Sequence, residues 1–403
     1  MDHALSTLIV ITLLFTFAGC SQEEAEMNPE PSSRAQELAR ESIIVDGHID
    51  VPYRMTRIKF ENVAERTVGG DFDHPRAVEG SLNAPFMSIY IPSTYQETGG
   101  ARVYADSLID YVESLAADNP SKFAVAKSVS DVRNQFEKGL VSLPMGIENG
   151  AAFEDDLGLI SHFYERGIRY ATLTHGKDNL ICDSSYDTTA TWNGLSPFGG
   201  DVVREMNRLG MMVDISHVTD KAFFDVLELS SVPVIASHSS ARAFTEGWQR
   251  NMSDELILAL AENEGVIMIT FGSSFLSNDY RKRSDEISSG IYREIEGKGW
   301  DRRSGEGFEH FERERKNNLI GSVSDVVKHI KHVVDLVGIE HVGLGSDFDG
   351  VFAVPEGLKD VSDYPVLIDA LISAGFSDGD IKLILGENLL RVWTAVEEYS
   401  ESV

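Results

Sequence analysis

Residues 43–50 read IIVDGHID, an apolar run that ends in Asp46-Gly47-His48-Ile49-Asp50. Ile43–Asp46 has the composition of a short buried strand. A His-X-Asp pair at its end carries two metal-capable side chains. Side chains alternate along a strand, so His48 and Asp50 are expected to share one face and reach one ion. Working outward, seven more short apolar runs read as strands: Phe86–Tyr90, Val141–Ile147, Arg169–Thr174, Met211–Ile215, Val232–Ala236, Val266–Phe271 and His341–Gly345. Stretches of helical period lie between them, among them Ala101–Asp118, Asp155–Arg166, Gly200–Leu209, Lys221–Leu229, Asp254–Glu264 and Val323–Leu336. Tyr364–Ala374 and Asp378–Leu385 follow the last strand. Alternating strands and helices imply βα units on a parallel sheet. Eight strands is the count of a closed α/β barrel, a (β/α)8 fold of the TIM type.

The strand ends share a chemistry. Glu148 ends the third, His175 the fourth, His217 the fifth, His238 the sixth, and Asp347 with Asp349 the eighth. A lone histidine at a strand end is more often a hydrogen-bonded structural residue than a ligand. Here six of eight expected ends carry a titratable group, and barrel enzymes assemble their sites at this rim from several strands. Imidazole with carboxylate suits zinc and similar divalent ions, while the lack of paired cysteines points away from a thiolate site. The pattern therefore points to metal-dependent hydrolysis. Arg250 alone reads more readily as a surface residue than as a ligand-binding one. Asp349 competes with Asp347 as a proton carrier; Asp347 lies nearer the strand end. His162, His310, His329, His332 and His341 have no motif around them and read as surface or core residues. His74 is undecided, and Asp71 and Asp73 are candidates for shaping the pocket.

The motifs DGHID, GIENG, LTH, DISHV, SHSS, RN, GSDFDG and ENLLRV follow one another in the order found in membrane dipeptidase, also called renal or microsomal dipeptidase. The chain resembles that family of metal-dependent amidohydrolases over roughly residues 40–396. The resemblance implies two Zn2+ per chain, or another divalent metal. His48 and Asp50 would bind the first ion, Glu148 would bridge both, and His217 and His238 would bind the second. His175 would contact substrate and stabilise the oxyanion, Arg250 would clamp the substrate carboxylate, and Asp347 would handle protons. Two metals about 3.5–4 Å apart can share a bridging water and lower its pKa toward about 7. The implied reaction is hydrolysis of dipeptides by that hydroxide, with a C-terminal D-residue accepted. Another small amide, an N-acyl amino acid, a β-lactam or a lactone is the alternative substrate class. The family also tends toward homodimers. Two departures stand out: the cysteines of animal members are missing, and residues 273–321 are longer and more charged.

The chain has 403 residues, 42% of them hydrophobic and 25% charged, which is ordinary for a globular protein. Its net charge of −30 argues against nucleic acid and anionic membrane surfaces as partners. Leu8–Phe17 is an apolar stretch of signal-peptide length, and Ala18-Gly19-Cys20 resembles the lipobox of bacterial lipoproteins. The n-region has no Lys or Arg, and Phe17 stands where Leu is usual. The expected organisation is a lipoprotein signal over 1–19, an acylated Cys20, a flexible acidic tether over 20–35 and one barrel domain over 36–403. Long loops near 56–82 and 273–321 would wall the active site. Such a protein would sit on a lipid anchor at the cell envelope, on a periplasmic or extracellular face. Cys182 would then have no partner, so disulfides do not hold the fold.

Overall fold

Strands packed on both faces are buried along their length, and those of this chain are, with polar residues gathered toward their C-terminal ends. The computed structural model describes residues 30–403, of which Pro31–Val403 form one unit. Eight parallel strands pair in chain order: β1 (Val45–Ile49), β2 (Ala84–Tyr90), β3 (Met145–Glu148), β4 (Ile168–Thr172), β5 (Met212–Asp214), β6 (Ile235–Ser239), β7 (Val266–Ile269) and β8 (Val342–Leu344). The ring closes just past the strand ends. The Asp347 N–H donates to the His48 carbonyl at 3.0 Å, and the Asp50 N–H donates to the Phe348 carbonyl at 2.9 Å. The two segments that seal the barrel thus carry candidate functional residues.

Some elements differ from the sequence reading. Val141–Ile147 is two strands, because Pro144 has no N–H for the ladder. Val141–Leu143 pairs with Phe123–Val125 in a separate small sheet, and only Met145–Glu148 enters the barrel. The sixth strand slides three residues, to Ile235–Ser239. The helix expected from Gly200 starts at Pro197, since Ser196 accepts the Gly199 N–H at 2.9 Å and proline suits the first turn. Ser33–Ala35, assigned to the tether, instead open a helix over Ser33–Glu41. Ser32 caps it, and its apolar spacing buries Ala35, Leu38 and Ala39. The C-terminal helix does not stop at Leu385. It passes through a π-turn, Leu383–Glu387, into Asn388–Ser402. Gly386 permits this: a Cβ there would lie 2.6 Å from the Ile43 carbonyl oxygen.

The long loop 56–82 holds a short helix, His74–Glu79, and the insertion at 273–321 folds into two, Asn278–Gly297 and Gly305–Asn317. Residues 1–29, with Leu8–Phe17 and Cys20, lie outside the described residues. Among the described residues no helix is long and apolar enough to cross a membrane.

Two layers fill the barrel. Phe86, Tyr170, Met212 and Ile235 form an apolar layer, closed from below by Leu389 and Trp393 of the last helix. The Tyr170 ring stacks within 5.2 Å of Phe86, and Phe86 within 5.4 Å of Trp393. Two residues further along the same strands come Ser88, Thr172, Asp214 and Ser237, all buried. Glu148, two residues past Gly146, joins them. The period of two thus stacks a polar layer on an apolar one. Gly146 makes room for Tyr170, because a Cβ at 146 would lie 2.1 Å from the ring Cζ. Gly146→Ala is therefore expected to cost about 1–3 kcal/mol through overpacking. A urea titration checks this, and an unshifted midpoint would refute the packing assignment.

Candidate metal centre

The strand ends are irregular where the site is built. Register slips between Asp46 and Ile49 on β1 and between Ala236 and Ser239 on β6. Such bulges re-aim side chains next to active sites, and here they turn His48 and His238 inward. Asp50 is the N-cap of the helix Val51–Arg57, not a strand residue. Plain alternation therefore does not unite His48 with Asp50; a bulge and a helix start do. His217 and Asp347 adopt left-handed backbone, φ 70° and 61°. That conformation is costly for residues with a Cβ and clusters at functional sites.

Glu148 stands at the centre, and its two oxygens face different partners. Oε2 lies 3.4 Å from His48 Nε2, which lies 3.6 Å from Asp50 Oδ2. Oε1 lies 3.1 Å from His217 Nε2 and 3.3 Å from His238 Nε2. Those two ring nitrogens are 2.9 Å apart. His175 Nε2 is 3.7 Å from the same oxygen. Burial alone would raise the Glu148 carboxyl. The imidazoles packed around it, His48 first, outweigh burial and hold it well below the usual range. Burial pushes His217 and His238 well down, and the Arg250 charge adds to both.

Outer partners set which nitrogen faces inward. Ser237 Oγ donates to Asp214 at 2.6 Å, so it accepts from His238 Nδ1 at 2.8 Å. The Tyr170 hydroxyl donates to the Gly47 carbonyl at 3.0 Å and accepts from His48 Nδ1 at 2.9 Å. Both imidazoles then turn an Nε2 lone pair toward Glu148, the tautomer a metal ligand needs. His48 Nε2 and Asp50 Oδ1 are buried without a hydrogen-bond partner. Lone pairs this close repel one another unless a cation lies among them. His48, Asp50 and Glu148 on one side, and Glu148, His217 and His238 on the other, therefore fit divalent ions. Sequence reading missed Tyr170, Ser237 and the role of Asp214. Their one signal is strand period: each points inward beneath a ligand candidate.

The remaining expected residues surround this centre. Arg250 is 2% exposed. It donates to Ser239 Oγ and to the His238 carbonyl, each at 2.7 Å. Asn251 anchors the loop by donating to the Phe275 carbonyl at 2.8 Å. Among the described residues Arg250 has no carboxylate partner, and its Nε is unbonded. A buried cation without a counter-ion is costly, so the place is made for an anion. The His175 ring packs 4.8 Å from Tyr90 and 4.3 Å from His217. Burial lowers its pKa, with Glu148 opposing.

Asp347 has ligand-range oxygens near His48 and Asp50. Burial pushes its carboxyl well up, and the charges of Asp50 and Glu148 add to that. Asp349 is paired with Arg54 at 2.7 Å, whereas Asp347 lies beside His48 and Asp50. Asp71 also has a definite place: Arg315 of the insertion donates to both its oxygens, at 2.7 and 3.0 Å. His329 is a satisfied core histidine, accepting from the Ala241 N–H and donating to the Leu276 carbonyl.

A cavity of about 900 Å³ opens over the centre, lined by Asp50, Glu148, His175, His217, His238 and Asp347 among others. The membrane dipeptidase family, Peptidase family M19, matches residues 32–403. An uncharacterized dipeptidase of Schizosaccharomyces pombe is 31% identical over 388 residues, covering 93% of this chain and 85% of its own. The dipeptidase tcpJ of Claviceps purpurea is 32% identical over 369 residues, covering 89% and 78%. The crystal structure of the probable dipeptidase PvdM from Pseudomonas aeruginosa has a TM-score of 0.74 at 25% identity, over 91% of this chain and 98% of that one. A metallo peptidase from Rhodobacter sphaeroides, liganded with a phosphinate mimic of the dipeptide L-Ala-D-Ala, has a TM-score of 0.72 at 25% identity, over 88% and 99%. The chain belongs to the membrane dipeptidase family and is a metal-dependent dipeptidase on a TIM-type barrel.

Proposed function

We propose that this dipeptidase holds two zinc ions and hydrolyses dipeptides, including those with a C-terminal D-residue, from a lipid anchor at the cell envelope. The observation that carries the two-ion reading is the division of Glu148: one oxygen faces His48, the other faces His217 and His238. His48 and Asp50 would hold one ion and His217 and His238 the other, with Glu148 shared. When bound, the ions supply Lewis acidity and lower the pKa of a water from 15.7 toward about 7.

The chain's own groups divide the remaining work. Arg250 receives the free carboxylate of the dipeptide, which a planar guanidinium grips bidentately. This neutralises a buried charge and limits substrates to those ending just past the cut bond. His175 stands beside Glu148 as a donor to the carbonyl oxygen while negative charge grows there. Asp347 takes the proton of the attacking water and returns it to the leaving nitrogen, completing general acid–base catalysis. The likeness to the Rhodobacter sphaeroides enzyme supports acceptance of a D-residue. The lipid anchor rests on Cys20 and the apolar run before it. The homodimer expected from the family is carried with this reading.

Metal analysis tests the centre. The purified protein should carry two equivalents of zinc, and Glu148→Gln should lower that content together with turnover of L-Ala-D-Ala. A fully active enzyme with one equivalent would contradict the shared carboxylate. Asp347→Asn should lower kcat by about 10²–10⁴-fold, the usual worth of a positioned acid–base group, with both metals retained. Loss of metal in proportion to loss of rate would make Asp347 a ligand instead. Arg250→Ala should weaken kcat/KM for dipeptides by at least about tenfold, the scale of a charge-assisted bond. An unaffected kcat/KM on the preferred substrate would mean that substrate brings no carboxylate there.

A further inference from the structure

The cavity extends past the metal centre to a wall that holds three guanidinium groups. Arg57 ends the helix after β1, while Arg302 and Arg303 lie in the turn between the two insertion helices. All three line the cavity. Among the described residues none of the three forms an ion pair. Asp301 beside them uses its carboxylate on the Arg303 N–H at 3.0 Å and on Ser304 Oγ at 3.1 Å. Asp349 and Glu312 on the same cavity are taken by Arg54 and Arg315. Asp285 also lines the cavity, as do Asp50, Glu148 and Asp347 of the metal centre. Burial lowers the Arg57 pKa, and the charges of Arg303 and Arg302 lower it more. The three cations therefore repel one another at the mouth. This is a chain with 65 acidic side chains against 35 Lys and Arg. Pairing partners are abundant, yet among the described residues these arginines have no carboxylate within ion-pair distance.

Their position relative to the centre follows from ring contacts. The Arg57 guanidinium lies 5.1 Å over Tyr53, Tyr53 meets Tyr90 edge-on at 4.9 Å, and Tyr90 meets His175 at 4.8 Å. This row leads from the rim to the metal centre along β1 and β2. Arg250 follows β6, three strands from β1 in a ring of eight. Arg57 follows β1 and Arg302 with Arg303 follows β7, so both sites open on the same end of the barrel as Arg250 and line the cavity over the metal centre. A dipeptide with its C-terminal carboxylate on Arg250 and its cut bond at the metal centre has this row of rings open to its N-terminal side chain. A cavity of about 900 Å³ also exceeds what a small dipeptide fills.

We propose that Arg57, Arg302 and Arg303 form a subsite for a carboxylate on the substrate's N-terminal side chain, so that the enzyme prefers dipeptides beginning with Glu. The proposal rests on the placement of the substrate carboxylate at Arg250. Guanidinium groups match a carboxylate fork, and the bound acid relieves their mutual repulsion.

The test compares kcat/KM for L-Glu-L-Ala and L-Gln-L-Ala, which differ in charge but hardly in shape. The zinc-loaded wild type should favour Glu by about tenfold, the scale of a charge-assisted bond. In R57Q/R302Q/R303Q, checked for folding by circular dichroism, the Glu/Gln ratio should fall toward one. If the triple variant does not fold, the single variant R303Q at an exposed position should show a reduced ratio. A wild-type ratio near one, with L-Ala-L-Ala still hydrolysed, would overturn the subsite and leave the dipeptidase standing. A ratio that survives the substitutions would overturn it too. Failure to hydrolyse any of the three peptides would remove the substrate reading beneath it.

Discussion

A single ionised carboxylate at the centre of the barrel organises this molecule. Glu148 is 3% exposed and surrounded by four imidazoles. Desolvating a carboxylate so deeply is unfavourable unless positive charge or hydrogen-bond donors compensate. The histidines supply part of that compensation, and cations on either side of Glu148 would supply the rest. Its two oxygens lie in different neighbourhoods, Oε2 beside His48 and Oε1 beside His217 and His238.

That demand reaches down into the fold. The polar layer of Ser88, Thr172, Asp214 and Ser237 stands on the apolar layer of Phe86, Tyr170, Met212 and Ile235 because both lie on the same inward faces. Asp214 accepts from Thr172 and Ser237 and so orients His238 through Ser237. Asp46 plays a related part at the seam. It accepts from the His48 N–H at 3.1 Å and the Ser346 N–H at 2.8 Å, tying β1 to the segment after β8. Tyr364 donates to it at 2.5 Å. Closing the barrel and placing His48 beside Asp347 are therefore one event. A change that loosens the seam alters the site as well as the fold.

Which parts of this were legible beforehand depends on how local their causes are. Strand runs, helix caps and titratable strand ends are local, so the eight-stranded barrel and the residues gathered around Glu148 could be read from the chain. Bulges are not local in that sense. The inward turn of His48 depends on how β1 meets its neighbours, and simple alternation reached the same pairing by a different route. Tyr170 was invisible because nothing in Arg169–Thr174 marks a hydroxyl that will meet a histidine 122 residues away. The split at Pro144 was legible in principle, since a proline cannot sit inside a central strand. Ser32 and the apolar spacing of Ala35, Leu38 and Ala39 likewise announced a helix where acidic, proline-bearing composition suggested only a tether.

The charged insertion shows why composition misleads at such places. Read alone, Ser273–Gly321 is a charged stretch expected to wall the active site. In the structure Arg315 is buried, donating to Asp71, which accepts the Asp349 N–H at 3.1 Å; Asp349 in turn pairs with Arg54. Glu312 accepts the Gly70 N–H at 3.0 Å and bonds Arg315. Alternating charges thus connect the insertion, the loop at 56–82 and the turn that carries Asp347. Isolated surface ion pairs contribute little, but a buried chain of this kind fails if one member is removed, because its partner is left charged and unpaired. Asp347 occupies a left-handed backbone conformation that surrounding structure must enforce. The network enforces it from two residues away, through Asp349. The insertion therefore does more than wall the cavity: it holds in place the turn on which the proposed proton carrier stands.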